Sequence, residues 1–323
     1  MPTNVAAYGS GNYLLELDGT PVGFLRSLEG GEPYIDVVSE APNAGLIAKH
    51  PGQLQCAPIT ISVGFGVDPV FLQWVAATLN RQSVRKSGVV IMANYAAQEV
   101  SRLSFEDALI TDIRFPKFDA ASKENGYLTV TFQPRAARFT VSAPGAKIDT
   151  IATKQKPWLA ANFRLRIPGL EAACARVSAI ESIAVTATVT SPGGLRTVPS
   201  VGALTVSNLF VTASEAVAPD FAAWFDDFAM LGNATERTAT IDLLGADLST
   251  LLFTISLSNV GIVRVKRERF VTGVDHVPQV SVEAYFETIG LSSPAGSLSA
   301  AGAVIAPPTP VLRPLSTSPV RPI

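Results

Sequence analysis

A mainly β fold is predicted, with two tandem β-barrel or sandwich domains, each flanked by one α-helix. Three observations carry this: a length of 323 residues, a tryptophan motif that recurs 150 positions later, and stretches of alternating apolar and polar residues that dominate both halves. At about 150 residues per domain, the length alone suggests two. The motif is V-x-P-x-F-x-x-W, first as Val67-Asp68-Pro69-Val70-Phe71-Leu72-Gln73-Trp74 and again as Val217-Ala218-Pro219-Asp220-Phe221-Ala222-Ala223-Trp224. With only three tryptophans in the chain, two at equivalent places mark a diverged internal duplication.

Alternation supplies the strands. Tyr13, Leu15 and Leu17 alternate with polar residues, as do Phe163, Leu165 and Ile167 with Arg164 and Arg166. Ile59, Ile61, Val63 and Phe65 match Leu209 and Val211, and Leu103 with Phe105 is matched to Phe253 with Ile255. The same offset of 150 places Ile91 on Ile241 and Arg114 on Arg264. Leu128, Val130 and Phe132 correspond to Val280, Val282 and Ala284, shifted by two. Each motif copy begins a helix. Pro69 and Pro219 suit a first turn, where a missing N–H costs nothing. Asp68 can cap the first helix, and Ala218 cannot cap the second. Phe71, Trp74, Val75 and Leu79 share one helical face, as do Phe221, Trp224, Phe225 and Phe228, so both tryptophans are predicted core anchors.

The remaining segments read as connections. Residues 39–57 and 190–203 are rich in Gly, Pro and polar side chains and predict long loops, which in compact domains usually serve contact. The boundaries follow: a first domain over 1–140, a linker over 141–160, a second domain over 161–290, and a proline-rich tail over 291–323.

Composition excludes several functions. Charged residues are only 16% and the net charge is −2; residues 1–150 carry 12 basic and 14 acidic side chains and the rest carry 13 of each, so neither half has the basic excess of a nucleic-acid binder. No apolar run reaches the ~18 residues of a membrane helix. The first basic residue is Arg26, which gives no charged leader and predicts a chain made without an export signal. Cys56, Cys174, His50 and His276 are too few and too scattered for a disulfide framework or a thiolate zinc site.

Catalytic patterns are missing too. Gly9-Ser10-Gly11 lacks the third glycine of a dinucleotide fingerprint. Glu106-Asp107 and Asp226-Asp227 are adjacent pairs whose side chains diverge on a strand or helix, and Asn233-Ala234-Thr235 is a chance sequon without a leader. Arg264, Lys266, Arg267 and Arg269 form a basic cluster, read as a guarded strand edge or as a contact for an acidic neighbouring subunit. No catalytic, cofactor-binding or metal-binding residues are assigned, no cofactor is expected, and the chain is not read as an enzyme.

Several stretches of the first half, over roughly residues 10–138, resemble tail tube proteins of contractile phages and related injection systems. They are Gly19, Ser27-Leu28-Glu29-Gly30-Gly31, Lys49-His50-Pro51-Gly52, the Phe71-x-x-Trp74 helix, Phe105 through Pro116, Asp119-Ala120-Ala121-Ser122-Lys123 and Leu128-Thr129-Val130. The resemblance implies a β-barrel with a flanking helix that assembles into stacked rings, with residues 39–57 as the loop that reaches a neighbour. It implies a structural ring protein of a tube, or an adaptor between tube and baseplate or spike. Its partners would be its own copies and neighbouring tube, sheath, baseplate or spike proteins, with no membrane and no sequence-specific nucleic acid. Two such domains per chain give either a trimer with a pseudo-sixfold ring, slightly preferred, or a hexamer. The competing reading is a β-sandwich module for a glycan or other ligand.

Overall fold

The computed structural model describes residues 12–43, 46–94, 96–142, 157–190, 200–268, 278–294 and 296–297. Alternation decides the inner face of the first half. Its strands are β1 (Asn12–Leu17), β2 (Thr20–Gly30), β3 (Pro33–Asn43), β4 (Leu46–Cys56) and β5 (Ile59–Val63), followed after the helix α1 (Pro69–Leu79) by β6 (Lys86–Ala93), β7 (Glu99–Arg114), β8 (Phe118–Asp119), β9 (Leu128–Gln133) and β10 (Ala136–Val141). Six of them close on themselves in the order β1, β2, β5, β9, β7, β6 and back to β1, all antiparallel. Leu15, Ile61, Val90, Leu103, Phe105, Val130 and Phe132 fill the interior, while Thr60 and Ser62 pair hydroxyls with Thr131 and Thr129 on the outside.

The second half repeats the order as β11 (Phe163–Arg166), α2 (Glu171–Cys174), β12 (Val177–Ile180), β13 (Ala184–Thr190), β14 (Ser200–Val206), β15 (Leu209–Ser214), α3 (Ala218–Phe225), β16 (Arg237–Leu244), β17 (Leu251–Arg267), β18 (Gln279–Tyr285), β19 (Thr288–Ser293) and β20 (Gly296–Ser297). Its path β11, β16, β17, β18, β15, β12 retraces the first barrel, but β11 and β12 do not pair. Where β2 has strand residues, this half has Pro168, a Gly169 at φ +78° and the helix-forming run Glu171-Ala172-Ala173-Cys174, which turns into α2. The second barrel is therefore open.

The ladders of the two halves correspond. β7 is bulged between Ile110 and Asp112, and β17 between Ile262 and Arg264. Ile113 pairs with Val130 as Val265 pairs with Val282. This corrects the constant offset: Leu103 is equivalent to Ile255 rather than Phe253, Val90 rather than Ile91 to Ile241, and Arg114 to Lys266 rather than Arg264. Each half has gained residues in different turns, and a fixed spacing read from the motif cannot follow them.

The helices behave as their capping predicts. Asp68 accepts the Val70 N–H at 2.9 Å, whereas α3 starts without a side-chain cap. Phe71, Trp74, Val75 and Leu79 are buried, as are Phe221 and Trp224, with Phe225 and Phe228 half-buried. After α3 the chain widens into one π-helical turn, Asp226–Met230.

One apolar core runs through both halves. Trp158, inside the 141–160 stretch read as linker, is buried in it and meets Phe65 and Phe118 at ring distances of 5.4 and 5.9 Å. Its indole N–H donates to the Leu244 carbonyl at 3.1 Å. Residues 143–156 of that stretch lie outside the described residues, as do Gly9-Ser10-Gly11, His276, Arg269 and the tail from 298 onward. The two thiols differ in setting: Cys174 is buried and Cys56 is half-exposed. Burial pushes the Cys174 thiol up to about 11, so it is a poor nucleophile near neutrality. In the folded protein at pH 8, iodoacetamide is expected to label Cys56 and spare Cys174, while both react in denaturant; peptide mass spectrometry reads the difference.

Candidate assembly surface

The residues singled out for chemistry lie apart. Glu106 and Asp107 both engage Arg135, at 2.6 and 2.8 Å, on the exposed rim of the first barrel. Asp226 and Asp227 are exposed on the π turn, and Asn233 is exposed beside them. His50 is exposed on β4, and Cys56 accepts the Ala137 N–H. Among the described residues no group of three or more His, Cys, Asp or Glu could hold a metal.

What the fold does bring together is strand edges. The segment 39–57, expected to be a long loop, falls mostly in the hairpin of β3 with β4; the segment 190–203 is flanked by the paired strands β13 and β14, and its residues 191–199 lie outside the described residues. Sequence patterning missed the first hairpin because its described side chains are mostly exposed and no buried side enforces alternation. The adjacent exposed residues Val37 and Val38 show this directly.

The second hairpin leaves its own half and extends the first barrel. Ala184, Val185 and Thr186 of β13 pair with Arg114, Ile113 and Asp112 of β7. The Phe115 N–H donates to the Ile183 carbonyl, and the Thr186 hydroxyl donates to Asp112, both at 2.9 Å. In return β8 of the first half pairs with β12 of the second, Phe118 opposite Ile180 and Asp119 opposite Ala179. The ion pair of Lys117 with Glu181, at 2.9 Å, spans the same seam; that contact raises the Lys117 pKa above its ordinary value. Ile113, Phe115, Phe118, Ile180, Ile183 and Val185 are all buried there. Each half thus lends a strand to the other, which is the contact a β edge invites.

Among the described residues the first hairpin has no such strand partner. It forms a separate two-stranded sheet, and Tyr34, Ile35, Val37, Val38 and Leu54 are exposed on it. The stretch Lys49-His50-Pro51-Gly52 lies along β4. Of the basic cluster, Arg264 pairs with Glu283 at 2.9 Å and Arg267 approaches Glu215 at 3.9 Å. Both lie on the outer stretch of β17, consistent with the strand-edge reading.

Comparison with known proteins places the first half. Residues 19–136 match the family model described as the T4-like virus tail tube protein gp19. Among solved structures, the tube terminating cap of the anti-feeding prophage is 23% identical over 42% of this chain and 91% of its own, with a TM-score of 0.36. A chain of the sheath–tube complex of the extracellular contractile injection system PVC is 19% identical over 43% of this chain and 95% of its own, with a TM-score of 0.37. Hcp1 from Flavobacterium johnsoniae is 11% identical over 41% and 94%, with a TM-score of 0.26. No curated protein matches the chain. The match spans β2 to the start of β10, the stretch whose sequence already resembles tail tube proteins: residues 19–136 carry the T4-like tail tube pattern.

Proposed function

We propose that the protein is a non-catalytic, ring-forming component of a contractile phage tail or injection system, with two tube-like domains per chain divided within 141–160. The single observation that carries this is the tail tube family match over 19–136. The unpaired hairpin and the scattered titratable groups fit a part whose work is contact rather than chemistry. Its partners would be its own copies and adjoining tube, sheath, baseplate or spike proteins. Among the described residues no helix is long and apolar enough to cross a membrane.

The side-by-side placement of the halves supports a pseudo-sixfold trimer over a hexamer with the second barrel outside. The second barrel lies along an edge of the first, joined by strand pairing, as neighbours in a ring would be. Closed cyclic symmetry then needs three chains for six barrels. Mass photometry is expected to give a particle of about 102 kDa, from three chains of 34.0 kDa. A particle of about 204 kDa, from six such chains, would reject the trimer. A chain that stays monomeric at micromolar concentration would count against ring formation without partners.

A further inference from the structure

The seam inside the chain is a template, and one copy of it is unfilled. Equivalences through the ladders map β7 onto β17 at Asp112 to Arg264, Ile113 to Val265, Arg114 to Lys266 and Phe115 to Arg267. The hairpins map as well. The Ala57 N–H donates to Glu32 as the Ser207 N–H donates to Ala184, so Glu32, Pro33, Tyr34 and Ile35 are equivalent to Ala184, Val185, Thr186 and Ala187. Bulges between Ile35 and Val37 and between Ala187 and Val189 confirm that register.

Equivalent positions differ in cover. On the second hairpin, Val185 and Ala187 are 1% and 6% exposed against the first barrel. On the first, Ile35 is 53% exposed, and Leu54, the counterpart of Leu204, is 73% exposed. Ile113 is buried beneath β13, whereas its counterpart Val265 is only half-buried and the adjacent Val263 is exposed. Among the described residues, β17 from Ile262 to Lys266 pairs with β18 on one side and with nothing on the other.

We propose that β3 of one copy adds to this edge of β17 in a second copy, repeating the internal seam between chains. The reading rests on the ring-forming function above and specifies its interface. Transferring the internal register sets Glu32 opposite Lys266, Pro33 opposite Val265 and Tyr34 opposite Arg264. Charge agrees: Glu29, Glu32, Asp36 and Glu40 are exposed on or beside β3, facing an edge that carries Arg264, Lys266 and Arg267. Tyr34 offers its ring to the Arg264 guanidinium. Pro33 cannot supply the N–H that Val185 has in the internal seam, so this ladder loses one bond. The Val265 and Arg267 amides still have the Pro33 and Gly31 carbonyls to meet. The apolar face of Ile35 and Leu54 then covers Val263 and Val265.

The test uses two full-length chains in a Cys56→Ser background, one with Tyr34→Cys and one with Arg264→Cys. In the transferred register these positions are a non-hydrogen-bonded pair, close enough for a disulfide. Mixed and oxidised with oxidised glutathione, they are expected to give a cross-linked two-chain species that neither variant gives alone. Separately, Glu32→Lys and Lys266→Glu should each raise the concentration for half-assembly at least tenfold, and the double variant should recover most of that loss. Normal assembly by both single variants, or wild-type particles with no mixed cross-link, would overturn this contact while leaving the ring reading intact. A wild-type chain that stays monomeric at micromolar concentration would overturn both.

Discussion

Trp74→Ala is expected to lower stability by about 3–5 kcal/mol, because the indole is fully buried and its removal leaves a cavity in the core. Its ring contacts Phe71 and Phe132 at 6.3 and 5.5 Å, and its N–H donates to the Val84 carbonyl at 2.9 Å. The truncation therefore leaves a cavity and an unpaired carbonyl together. Trp224→Ala should cost less, about 3 kcal/mol. Its buried indole N–H has no partner, so no hydrogen bond is lost, and the chief specific loss is the stacking of Arg237 at 5.2 Å. Denaturant unfolding of each variant measures the order. Equal losses, or a loss below about 1 kcal/mol at Trp74, would show that the two helices are not anchored as described.

Trp158→Ala is the second large effect, again about 3–5 kcal/mol, and it differs in kind. Trp158 joins the halves through Phe65, Phe118 and the Leu244 carbonyl. Gly126 packs against its face so closely that an added Cβ would meet the ring at 2.1 Å. Because the core is continuous, wild-type unfolding is expected as a single transition. Trp158→Ala should split it into two, visible as separated near-ultraviolet and far-ultraviolet midpoints. Coincident midpoints with a small loss would mean that the seam is held by the strand exchange alone.

How far the sequence disclosed this architecture depends on what each element packs against. Leu15, Ile61 and Val130 alternate because one side of their strands is core, and their barrels were readable. The helices were readable because Pro69, Asp68 and the tryptophans carry start signals and an apolar face. The first hairpin was not, since Ile35, Val37 and Leu54 are exposed among the described residues, and alternation has nothing to enforce it. α2 was hidden by its length: four residues hold no periodicity, and only Pro168-Gly169 hinted that the strand stops. The strand exchange was invisible for another reason. Pairing of β13 with β7 joins residues some 70 positions apart, and no local pattern encodes which edge a strand will choose. The basic cluster was legible as a strand edge, though not as the counterpart of an occupied one.

The gap between β11 and β12 has a consequence of its own. In a closed cylinder every strand is held on both flanks, so none can detach without breaking two ladders at once. In the second half, β11 is held by a single four-residue ladder to β16, reinforced where Arg164 and Arg166 clasp the buried Asp242 at 3.0 and 2.8 Å. That makes the first cylinder a stave-tight hoop and the second a hoop with a clasp. Among the described residues β11 can therefore detach by breaking one ladder, whereas any strand of the first cylinder must break two.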